Sequence, residues 1–377
     1  MYRSALSIVK RAYGFSTARV MRLAASLFLS AWGFGCAAAP GKLNAEYRIA
    51  VRYDVEPVRI GHGEAAFFER IGSDLTRAGE LGFDTVVFAH LEDHWRTKAL
   101  EMAARCGMAG VVSDRDLQHF VRTGRLPQGF RNVVEIVRAA IRALANRPGF
   151  AGLAMDHVSS APAPRERLAR VAKSLQAVGV SCVILTSSNN ALDDGFSFAI
   201  VDAGELAEAA NRSPSERLLA GYHAELAAGR TAGLVVDRFA RAPGGRAGLN
   251  AVDEPPVAAK MAAVQGLLRR AKRWGPMLHG FHGESVGEFH TEGLGVSLIA
   301  FVRDQRRFIL AYNPSSDRYI RGSVAVPASI SGKTVSRLVE VPPIPDRVAG
   351  DVFEAQRGGV IVRVDLRPGD AALFEVF

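Results

Sequence analysis

Between residues 48 and 274 the apolar positions follow two rhythms. One is helical. In 64–81 the residues Phe67, Ile71, Leu75 and Ala78 fall three and four apart, on one face of a helix, and Gly82 stops the pattern. The same rhythm returns over 95–105, 133–145, 165–178, 214–228 and 256–274. The other rhythm is a short, nearly continuous apolar run, seen at 48–54, 84–90, 109–114, 151–156, 181–186, 196–202 and 231–237. Such runs read as strands buried on both faces, the mark of a parallel sheet. Strands alternating with helices predict right-handed βαβ crossovers.

The count is seven strands, because 180–202 holds two of them with no helix between. The expected fold class is α/β: a (β/α)8-type TIM barrel over 41–280, with one unit incomplete or irregular. Past residue 285 the helical rhythm stops. Strand patterns at 296–302, 307–312, 323–326, 333–338, 360–366 and 371–376 are separated by turn residues, as at 313–317 and 367–370. They predict a small all-β antiparallel sandwich over 288–377. The stretch 279–287 reads as a polar hinge or a loop leaning over the barrel mouth. A zinc site from His279, His282 and His290 with Glu284 and Glu288 is the lesser reading.

Most of the apolar runs end on a titratable residue: Asp54, His90, Asp114, Asp156, Asp202 and Asp237. Strand ends converge at the carboxyl face of a barrel, where such folds build their sites. Each Asp has a second possible task, capping the helix that follows its strand.

Residues 1–45 contain no Asp or Glu, and 1–40 carry five basic residues before and around an apolar run at 23–35. Basic, apolar, then small is the order of an export signal. The run is shorter than the roughly 20 residues of a membrane span, and Met21 is an alternative start. Gly33-Phe34-Gly35-Cys36 resembles a bacterial lipoprotein box, which implies a lipid anchor on Cys36. Cleavage after an alanine at 37–39 would leave no lipid. A mitochondrial leader fits the acid-free composition but not the glycine- and proline-stopped apolar block. The expected location is exported: periplasmic, outer-membrane-anchored or extracellular.

The charge balance changes with the leader. The chain has 47 Lys and Arg against 38 Asp and Glu, and without 1–40 the balance is 42 against 38. No dense basic stripe with interleaved aromatics remains, so no nucleic-acid partner is expected. Cys106 and Cys182 sit in apolar contexts and read as buried free thiols.

Three phrases carry a resemblance. They are 74–88 (DLTRAGELGFDTVVF), 147–156 (RPGFAGLAMD) and 222–237 (YHAELAAGRTAGLVVD), backed by the tail from Tyr312-Asn313-Pro314 to Ala372-Leu373-Phe374. Together they resemble the large (β/α)8 clan of retaining glycoside hydrolases that carry a C-terminal β-sandwich. The resemblance implies a carbohydrate substrate, no cofactor and no metal. It also implies an acid/base Glu at the end of the fourth strand. Here that strand ends on Asp156, followed by His157. The nucleophile's place falls to Glu205 or Asp237.

Glycoside hydrolysis needs two carboxyl groups across the scissile bond, roughly 5–5.5 Å apart for retention and 6.5–9.5 Å for inversion. The expected catalytic set is Asp156, Glu205 and Asp237. The expected substrate-binding set is Asp54, Glu56, His90, Glu92, His94, Trp95, Asp114, His157, Asn189, Asp202 and Arg238. The cluster at 90–95 could bond sugar hydroxyls with Trp95 as a stacking face. Alternatively, Glu92 and Asp93 open a helix and Trp95 anchors its core side. Two other functions stay open. One is a glycan-binding relative whose acid/base Glu has been replaced. The other is a metal-dependent polysaccharide deacetylase using Asp54 with His90 and His94.

Overall fold

Seven strands, β1 (Arg48–Asp54), β2 (Thr85–Ala89), β3 (Ala109–Ser113), β4 (Phe150–Asp156), β5 (Ser181–Leu185), β6 (Ser197–Asp202) and β7 (Gly233–Asp237), pair in chain order and all in parallel. β7 returns to β1, with Val236 opposite Val51, and closes the sheet into a barrel. The computed structural model describes residues 46–55, 63–89, 91–142, 144–156, 161–185, 197–202, 213–237, 255–291, 294–342, 351–355 and 360–377. Among these the barrel has seven strands, and β5 pairs directly with β6. The helices are α1 (Glu64–Leu81), α2 (Asp93–Arg105), α3 (Arg115–Thr123), α4 (Val133–Arg142), α5 (Pro162–Gln176), α6 (Pro214–Ala227) and α7 (Pro255–Leu278).

The two-residue period of a strand sorts side chains between lumen and helix layer. On β1, Ile49, Val51, Tyr53 and the following Val55 join the core beneath the helices. Ala50 instead packs with Val87, Val111, Ala154, Val183, Phe198 and Val235, the plug that fills the barrel. Gly233 belongs to that plug for a steric reason. A Cβ there would lie 2.6 Å from the Phe198 ring and 2.8 Å from the Arg48 carbonyl oxygen. On the outer side, the buried Tyr53 hydroxyl donates to Asp74 of α1 at 2.7 Å. Burial and the neighbouring carboxylate push the Tyr53 pKa up, so the phenol stays a donor.

After α7 the chain forms a six-stranded antiparallel sheet from β8 (His282–Thr291), β9 (Leu294–Arg303), β10 (Arg306–Tyr312), β14 (Arg337–Val341), β15 (Val352–Glu354) and β17 (Ala371–Val376), in the order β15-β14-β17-β10-β9-β8. A ribbon of β11 (Ile320–Val326) and β16 (Val360–Leu366) covers one face. The core between sheet and ribbon includes Leu298, Ile309, Val324, Val362 and Phe374. A short hairpin pair, β12 (Ser329–Ile330) with β13 (Lys333–Thr334), completes the module. The opposite face of the sheet, through Phe301, Phe308, Leu310 and Leu373, shares a core with Leu267, Leu268 and Trp274 of α7 and Tyr222 of α6.

Four local expectations change. The stretch 279–287, expected as a hinge, enters the sheet as β8, with His282 opposite Val302. α7 runs past Trp274 and through Pro276 to Leu278, because Trp274 and Leu278 are both fully buried and packing outweighs the local stop signal. The single strand expected over 333–338 divides between β13 and β14. Cys182 is buried as expected, whereas Cys106 is half-buried.

Candidate functional site

The lumen phase of each strand, followed past the apolar plug, leads to the carboxyl rim. On β1 it runs Ala50, Arg52, Asp54, and on β7 it runs Gly233, Val235, Asp237. Arg52 reaches across the closing seam. Its Nη1 donates to Asp237 Oδ1 at 3.3 Å and Oδ2 at 3.2 Å. The two side chains keep only 15% and 21% of their surface exposed. Asp54 ends β1 one pleat above Arg52, half-buried and in register with Ala89.

The backbone register extends the rim. Asp202, the last residue of β6, lies opposite Asp237. Asp156 ends β4 opposite Leu185. The strand order puts the ends of β6, β7 and β1 side by side, and β4 across the ring from them. Of the expected site residues, Glu56, His90, His157, Asn189, Glu205 and Arg238 lie outside the described residues, as does Cys36.

Asp114 has a structural occupation. It is the N-cap of α3, with Oδ1 accepting from the backbone N–H groups of Asp116 at 3.1 Å and Leu117 at 3.0 Å. Its Oδ2 accepts from Arg96 Nη1 at 3.1 Å. Arg96, itself buried, also pairs with Asp93 at 2.9 Å. The charged cluster after β2 thus folds into a helix-start network, where acidic groups meet the positive end of the helix. Glu92 occupies the N-cap position of α2 without a side-chain cap, and its carboxylate lies 3.5 Å from His94 Nδ1. Trp95 turns toward α1, with its ring centroid 4.6 Å from that of Phe67 and 6.1 Å from that of Phe68. It packs in the α1–α2 contact, is half-buried there, and also lies 4.8 Å from the His94 ring. Among the described residues no group of three or more His, Cys, Asp or Glu side chains has the arrangement of a metal site.

Arg52 was not among the expected site residues. The signal for it is the pleat: Ala50, Arg52 and Asp54 share one face of β1, while Ile49, Val51 and Tyr53 take the other.

No family model matches this chain, and no curated protein matches it in sequence. Among solved structures, an α-amylase from Anoxybacillus aligns with a TM-score of 0.51 at 12% identity, covering 89% of this chain and 98% of that one. A maltogenic α-amylase from Thermotoga neapolitana aligns at 0.48 and 10% identity, covering 89% and 100%. A β-L-arabinopyranosidase from Geobacillus stearothermophilus aligns at 0.48 and 8%, covering 89% and 97%. The Anoxybacillus likeness is one of fold: a glycoside hydrolase-like barrel followed by an antiparallel β-module.

Proposed function

We propose that this chain is an exported glycoside hydrolase acting on a poly- or oligosaccharide at the carboxyl rim of the barrel. The observation that carries the reading is the Arg52–Asp237 pair beside Asp54, at a rim where Asp202 is in register with Asp237. A guanidinium that orients a carboxylate at a strand end is what a nucleophile or general base requires. In this scheme Asp237 takes that part, with Glu205 as the other candidate, and Asp156 serves as acid from across the ring. Asp54 and Asp202 bond sugar hydroxyls. Arg52 is a positioning residue.

The test is sugar release from a panel of soluble polysaccharides and aryl glycosides. Asp237→Asn and Asp156→Asn should each abolish turnover while the far-ultraviolet circular dichroism is unchanged. Full turnover in both variants would remove this pair from the reaction. The sequence Asp156-His157, with no Glu at the fourth strand end, favours a second reading, a glycan-binding relative without hydrolysis. That reading expects no sugar release from any substrate together with a sugar-dependent rise in melting temperature. Export through 1–40 and lipidation of Cys36 belong to the same proposal. Cell fractionation of the native chain and of Cys36→Ser tests both.

A further inference from the structure

The charge of this chain is unevenly placed. Over 115–147 and 161–176, which include α3, α4 and α5, eleven Lys or Arg stand against Asp116, Glu135 and Glu166, a net +8. Residues 41–377 as a whole carry 42 against 38, so the remainder is acidic. The three helices lie side by side on the outside of the barrel and share one core through Leu117, Ile136 and Leu168. Arg167 of α5 donates to the Val121 carbonyl at 2.8 Å and the Arg122 carbonyl at 3.0 Å, which fixes α5 against the end of α3.

Of the other ten basic groups all but Arg165 are exposed. Arg122, Arg125, Arg131, Arg138, Arg142 and Arg170 are exposed, and none is in an ion pair among the described residues. The same sector holds two exposed large apolar residues, Leu126 (38%) and Val134 (40%), and Val178 (47%) follows just after α5. It exposes no Trp, Tyr or Phe among the described residues, since Phe130 is partly buried against the core of the three helices. Basic groups with interspersed aliphatic side chains suit an anionic bilayer, where the first meet the headgroups and the second enter the acyl boundary. Single-stranded nucleic acid would instead call for flat aromatic faces on which bases stack.

We infer that the outer face of α3–α5 docks this protein on an anionic lipid surface. The docking depends neither on the sugar-processing reading nor on a lipid at Cys36. Each basic residue near such a surface strengthens binding by about fivefold, and salt weakens it.

The test is co-sedimentation of the full chain with vesicles of phosphatidylcholine alone or mixed with phosphatidylglycerol. The anionic vesicles should bind it more tightly, and added salt should release it. R122E/R125E/R131E/R138E should lose at least a hundredfold of the phosphatidylglycerol-dependent part. The double reversal R269E/R273E, on exposed positions of α7, should not, whereas the double reversal R122E/R138E should lose at least tenfold. L126S/V134S keeps the charge and should weaken binding severalfold, which also guards against misfolding of the quadruple variant. Unchanged anionic binding in the quadruple variant would overturn the inference. So would tighter binding to dextran sulfate or duplex DNA than to the vesicles, unaffected by L126S/V134S.

Discussion

Arg52 on the first strand and Asp237 on the last meet 3.2 Å apart across the seam where the barrel closes. One ion pair therefore bridges the closure of the fold and the rim of the candidate site. Arg52→Ala should lower stability by about 1–2 kcal/mol, a partly buried pair lying between the exposed and buried limits. It should also reduce turnover, with Arg52→Lys recovering part of each. Urea denaturation and steady-state kinetics on the same preparations check both. A variant with lower stability and full turnover would confine Arg52 to the scaffold.

Asp114 and Arg96 should behave as scaffold. Asp114→Ala removes a helix cap and the more buried of the two carboxylates paired with Arg96, at an expected cost of about 2 kcal/mol. Asp114→Asn keeps a capping oxygen and should cost about half as much. Neither should change the affinity for a sugar ligand, read by isothermal titration calorimetry at a temperature where both variants are folded.

His223 predicts a pH dependence. It is fully buried between α6, α7 and the turn before β17. Nδ1–H donates to the Gly369 carbonyl at 3.0 Å, and Nε2 accepts from Arg270 Nη1 at 2.6 Å. Asp370, which pairs with Arg270 at 3.2 Å, lies 3.7 Å from the imidazole. Burial, and then the Arg270 charge, lower its pKa from 6.5 to about 4. The unfolded chain therefore binds the proton first as pH falls. The stability held above pH 6.5 should decline by about 3 kcal/mol as pH drops toward 4. His223→Gln should flatten that part of the curve. Chemical denaturation at a series of pH values would show an unaltered slope if His223 were not responsible.

Gly233→Ala should cost about 1–3 kcal/mol, since its Cβ would press on the Phe198 ring and the Arg48 carbonyl. Phe198→Leu in the same chain should recover part of the loss, because only the ring contact is relieved. Thermal melts of the two single variants and the double variant give the coupling.

The barrel was legible where one pattern decided the structure. β1 and β7 end at Asp54 and Asp237 as expected, since each is an apolar run closed by a carboxylate. α3 was missed although Asp114 and Gly124 mark its two ends and Leu117, Phe120 and Val121 form its buried face. At nine residues it is too short for periodicity to stand out. β8 was hidden for another reason. It lies at the edge of its sheet, and its place is set by backbone pairing with the apolar β9 rather than by its own Gly, His and Glu residues. The roles of Asp114 and Trp95 could be named as alternatives from sequence. The contacts of Asp114 with Arg96 and of Trp95 with Phe67 were not legible, because only the fold brings these residues together.

The antiparallel sheet is sandwiched between the β11–β16 ribbon and the last two barrel helices. Cutting the chain near residue 280 would leave Trp274 and Leu267 bare on one fragment, and Phe301 and Phe308 bare on the other. Neither piece would be a soluble module to borrow for a fusion protein, and the two halves should melt in a single step.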